Sequence, residues 1–137
     1  MKIEPSSRRR EITDLFVKGD SAGLERLGLK MSQSPSADCA HYVIVSLGII
    51  PSPRAFDALR SLPKSETPYP GSNIISYDNG SKNVHYGFYD DEKVTSKWGE
   101  GPVFTHAIED IPLKYGNFVK FTSRAAALDW ISSADNY

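Results

Sequence analysis

The sequence predicts an α+β fold: helices gathered in the first half, packed on a small antiparallel sheet drawn mainly from the second. Three observations carry this. Apolar residues recur at helical spacing behind capping residues until about residue 61. They alternate with polar ones from about residue 73 to 122, and the first three alternating runs are joined by turns too short for a crossover helix.

Taken in order, Ser6 or Ser7 caps a first helix that runs to about Lys18, with Ile12, Leu15 and Phe16 on one face and Gly19 ending it. A short helix from Ser21 carries Leu24 and Leu27. Met31 to Pro35 reads as a loop, and a buried helix then starts from Ser36 as N-cap, with Ala40, Val43, Ile44 and Leu47 facing inward. Pro53 to about Ser61 forms another helix, and the Pro-rich stretch Leu62 to Ser72 an extended surface loop. Strands are predicted at Asn73–Tyr77, Asn83–Tyr89, Lys93–Lys97 and Phe118–Thr122. The turns Asp78-Asn79-Gly80-Ser81 and Asp90-Asp91 make neighbouring strands antiparallel hairpins. A last helix begins near Ser123. No repeat, linker or low-complexity segment divides the chain, so residues 1–137 read as a single domain.

Composition narrows the function. With 39% hydrophobic and 24% charged residues the chain is globular, and its net charge of −1 supplies no field that would recruit nucleic acid or an anionic membrane. Arg8-Arg9-Arg10 is the one dense basic run and reads as a solvated helix start, with a phosphate contact as the alternative. The single cysteine, Cys39, excludes an intramolecular disulfide and suits a reducing compartment. The N-terminus lacks the pattern of a secretory signal, and the apolar run Tyr42–Ile50 is too short to span a bilayer. A cytoplasmic protein is expected, or one exported by a specialised secretion system.

Chemistry centres on Cys39. Near a helix N-terminus, unpaired N–H groups and the helix dipole favour a thiolate, whereas a plain core cysteine is the alternative. In the strand Val84–Tyr89 the alternation puts His85, Gly87 and Tyr89 on one face and the bulkier Val84, Tyr86 and Phe88 on the other. The bulky set is expected to fill the core and leave His85 available as a base. Gln33 precedes Cys39 by six residues and offers a side-chain donor for an oxyanion. Neither the histidines nor the cysteine has the paired spacing of a structural metal site, and no Gly-rich phosphate loop is present, so no cofactor is expected.

The stretch His85-Tyr86-Gly87-Phe88-Tyr89, followed by Thr95-Ser96-Lys97-Trp98-Gly99 and then His106, resembles uncharacterised bacterial papain-like domains related to NlpC-type cysteine peptidases. Asp38-Cys39 matches the pair that opens the nucleophile's helix in those domains. The resemblance spans about residues 33 to 122. It implies a papain-like fold and a Cys39–His85 pair acting on an amide bond of a peptide or peptidoglycan-type substrate, as a hydrolase or transferase. Better-known NlpC-type enzymes carry a histidine, asparagine or glutamine on the following strand to orient the imidazole. Here that strand offers Ser96, with His106 as the competing choice. A secreted effector or toxin would reconcile such a substrate with the absent signal. The alternative function is a non-catalytic binding or regulatory module on the same scaffold.

Overall fold

A computed structural model describes residues 1–135. The first helix forms where its cap predicts. Ser6 accepts the Arg9 N–H at 3.1 Å and starts α1 (Ser7–Val17), and Asp20 caps α2 (Ser21–Arg26). Then come β1 (Lys30–Ser32), α3 (Cys39–Ser46) and α4 (Pro53–Arg60), the last capped by Ser52 with proline in its first turn. Strands β2 (Asn73–Asp78), β3 (Asn83–Asp90), β4 (Lys93–Lys97) and β5 (Val103–His106) follow. A 3₁₀ turn (Leu113–Tyr115), β6 (Phe118–Ser123) and α5 (Arg124–Asp135) complete the described chain.

The strands form one six-stranded antiparallel sheet in the order β1-β5-β4-β3-β2-β6. The α+β class is therefore observed. Two strands escape the sequence reading. β1 lies where a loop is expected, and Met31 pairs with Phe104 of β5. Three residues carry too little alternation to declare a strand; a partner some seventy residues away creates it.

The sheet is covered on both faces, with Ile12, Leu24, Tyr77, Trp98, Phe104 and Phe121 in the core that includes α1 and α2. Val43, Ile44, Leu59, Tyr86, Phe88 and Ile131 form the other core with α3, α4 and α5. This corrects the expectation that only one face of β3 is filled. No helix among the described residues is long and apolar enough to cross a membrane.

The arginine run is corrected at one position: Arg8 and Arg10 are exposed at the helix start, as expected. Arg9 is fully buried, not solvated. Its guanidinium donates to the carbonyls of Ile111 (3.0 Å), Pro112 (3.2 Å) and Gly116 (2.8 Å), and to Asn117 Oδ1 (2.7 Å). Arg8 grips the same segment by a two-pronged contact to Asp110 at 2.7 and 3.0 Å. These side chains bind protein carbonyls and a carboxylate, so Arg8 and Arg9 act as a clamp on residues 110–117.

That segment is fitted tightly against β2. Gly116 has φ +89°, and a Cβ there would lie 2.1 Å from the Asp78 carbonyl oxygen. Backbone cannot yield as a flexible side chain does. Gly116→Ala is therefore expected to cost about 3 kcal/mol or more, read as a lowered urea midpoint.

Candidate functional site

Cys39 occupies the first position of α3. The sequence reading starts this helix at Ser36 and puts Cys39 about one turn in. The structure instead gives the cap to Asp38, whose carboxylate accepts the His41 N–H at 2.9 Å. Ser36 is left in the preceding loop, where its N–H donates to Ser34 Oγ at 3.2 Å. A carboxylate at the positive end of the dipole is a good cap, and it leaves Cys39 with unpaired first-turn N–H groups beside it. His41 is tied to the same loop, its Nδ1 accepting the Ala37 N–H at 3.1 Å.

Helix α3 packs on β3, and Cys39 adjoins the core that holds Tyr86 and Phe88. The β3–β4 ladder runs only from Phe88–Thr95 to Asp90–Lys93. Outside it, the Tyr86 backbone N–H is directed at the Cys39 thiol. The sulfur therefore lies beside the His85–Tyr86 peptide. Burial pushes the thiol pKa up; the Tyr86 N–H opposes this, the Asp38 charge adds to it, and the N–H groups of Ala40 and Cys39 oppose it again. At rest Cys39 is a neutral thiol surrounded by backbone donors.

His85 points to the other side of β3. It pairs across the ladder with Tyr77, and its ring stacks on Tyr115 at 4.0 Å between centroids and 26° between planes. It is fully buried, and neither ring nitrogen has a hydrogen-bond partner. Burial holds its pKa well below the usual imidazole range, with the charges of His106 and Lys114 adding to the effect. The imidazole is neutral, and one nitrogen carries a free lone pair.

Ser96 and His106 do not orient His85; they bond to each other. His106 Nδ1 lies 2.6 Å from the Ala107 carbonyl oxygen, which can only accept, so Nδ1 carries the proton. Bare Nε2 then accepts from Ser96 Oγ at 3.1 Å, while the Trp98 indole N–H donates to that same oxygen at 3.2 Å. The hydroxyl hydrogen of Ser96 is thus committed to His106, and every proton in the chain is ordered. His106 is buried, which lowers its pKa to about 4 against the favourable Ala107 carbonyl and Asp110. The role of orienting group assigned to Ser96 or His106 is therefore corrected. They brace β4 against β5.

Gln33 is exposed in the loop after β1, and the donors directed at the thiol are backbone N–H groups instead. The residue missed by sequence reasoning is Tyr115. Its ring holds one face of His85, burial raises its pKa with the Cys39 charge adding to the effect, and its buried hydroxyl has no hydrogen-bond partner. Tyr115 sits in the segment gripped by Arg9, and nothing local in Lys114-Tyr115-Gly116 announces it. Gly87 was legible only as a small residue. A Cβ there would lie 2.7 Å from Ser96 Cβ, so it is the glycine that lets β4 close over this end of β3.

The chain matches no family model, no curated protein and no solved structure.

Proposed function

We propose that this protein is a papain-like thiol hydrolase or transferase acting on an amide bond of a peptide or peptidoglycan-type substrate, with Cys39 as nucleophile and His85 as base. One observation carries the reading: the thiol, at the N-terminus of α3, lies against the peptide that joins His85 to Tyr86. Two features support it. A fully buried imidazole with both nitrogens unpaired costs stability, and such groups cluster at functional sites. Thiol–base hydrogen bonds also commonly form only when substrate arrives.

In the reaction, the Cys39 sulfur attacks the carbonyl carbon and its proton passes to the free nitrogen of His85, whose ring must first turn from its place on Tyr115, on the other side of β3, toward the thiol. The Cys39 and Ala40 N–H groups stabilise the negative oxygen, supported by the helix dipole. The imidazolium returns its proton to the departing amine, leaving a thioester. Water, or an acceptor amine in a transferase, then attacks the thioester with His85 again taking the proton.

Acyl trapping tests this. On mixing with p-nitrophenyl acetate, the wild type is expected to acquire an acetyl group on Cys39 and release it again, with nitrophenolate produced in a burst. Cys39→Ser gives no burst, and His85→Phe retains the acetyl group longer. Absence of acetyl-Cys39 in the wild type overturns the reading. A non-catalytic binding or regulatory module on the same scaffold is the second reading. It is favoured by the raised thiol pKa and by the commitment of Ser96 to His106. It predicts an inert Cys39 and unchanged function in Cys39→Ser.

A further inference from the structure

A cleft of about 640 Å³ is lined by Arg60 at the end of α4 and by Ser81, Lys82, Asn83, Val84 and Tyr86 of the β2–β3 hairpin. Its charged lining residues are both cationic. At its floor, Tyr86 is only 5% exposed, and its hydroxyl oxygen is buried without a hydrogen bond of normal geometry. A phenol left so is a donor in want of an acceptor. Asn83, near this hydroxyl, is anchored by its own amide donating to the Arg60 carbonyl at 3.1 Å. Arg60 Nη1 is held by Asp57 at 2.7 Å in an exposed pair of neighbouring helical turns, an interaction weak enough to exchange. The same tyrosine supplies the backbone N–H directed at Cys39, so one residue touches both the cleft and the thiol.

We propose that this cleft is the specificity subsite of the thiol site and takes a substrate carboxylate, bound by Arg60 and Lys82 with the Tyr86 hydroxyl donating to it. The substrate class is then a peptide with an acidic group close to the scissile amide. The carboxylate is either an acidic side chain or a free C-terminus, and both present the same two oxygens to the cleft. This proposal rests on Cys39 being the reactive group of the site.

Chloroacetyl dipeptides that alkylate Cys39 separate the possibilities. Chloroacetyl-Gly-Gln-amide is neutral, chloroacetyl-Gly-Glu-amide carries only a side-chain carboxylate, and chloroacetyl-Gly-Gln carries only a terminal one. At saturating pH control and low salt, at least one anionic probe is expected to react about tenfold more efficiently than the neutral probe, a fair yield for charge-assisted hydrogen bonds. Which probe wins identifies the source of the carboxylate. The preference should fall to near unity in Arg60→Met and in Lys82→Met, and shrink with added salt. Equal rates for all probes, or a preference that survives both substitutions, overturns the subsite. Reactivity of the neutral probe that depends on His85 reports separately on the thiol site itself, so the two failures are distinguishable.

Discussion

Acidification from pH 7 to pH 4 is expected to remove several kcal/mol of stability, through two histidines that the fold keeps neutral. Burial lowers both pKa values, His106 to about 4 and His85 well below its ordinary value. In the unfolded chain both imidazoles take up a proton near pH 6.5. Their contribution to stability is therefore complete above about pH 6.5 and declines as pH falls, because only the unfolded state binds the protons. Each histidine contributes a slope of about 1.4 kcal/mol per pH unit, so His106 alone accounts for roughly 3 kcal/mol by pH 4. Urea unfolding across this range should show a dependence approaching two protons. In His85→Phe it should approach one. The same substitution should raise stability at pH 7 by about 1–3 kcal/mol, since a ring of similar shape replaces two unpaired buried nitrogens. An unchanged slope in His85→Phe would mean that this imidazole already titrates normally in the folded protein.

Arg9→Met should be the most damaging single change in the N-terminal helix, at about 3–5 kcal/mol. It strands the carbonyls of Ile111, Pro112 and Gly116, together with Asn117 Oδ1, in a region where water cannot replace the lost donors. Arg9→Lys should rescue little, because one ammonium cannot reach the acceptors that a planar fork spans. A milder consequence follows for the site. The Arg9-bound segment carries Tyr115, so its loosening frees the His85 ring that Tyr115 stacks upon. Equal stability of Arg9→Met and wild type in urea would disprove the clamp.

The sequence made the α+β class legible because caps, period and turns agree along most of the chain. Strands β2, β3, β4 and β6 alternate strongly enough to declare themselves, and Ser6 is a cap by local chemistry. β1 was illegible because it is made by its partner. The site was legible as residue types and not as a network. Cys39 at a helix start and His85 on a strand follow from periodicity. That β4 carries Ser96 to His106 and not to His85, that Tyr115 stacks on the imidazole, and that Arg9 holds Tyr115 in place are all long-range facts. Arg8-Arg9-Arg10 misleads for the same reason: burial of one member depends on a loop about a hundred residues away.

The central claim, that His85 acts on Cys39, is tested most directly by the rate of Cys39 alkylation with iodoacetamide against pH, in the wild type and in His85→Phe. Cys39 is the sole cysteine, so the modified species is unambiguous. If His85 takes the thiol proton, the wild type should react near neutral pH faster than its raised thiol pKa allows, and the substitution should slow it about a hundredfold, the lower range of general-base effects. Superimposable profiles that follow the thiol's own titration would contradict the claim and leave Cys39 a half-buried packing residue of a binding module.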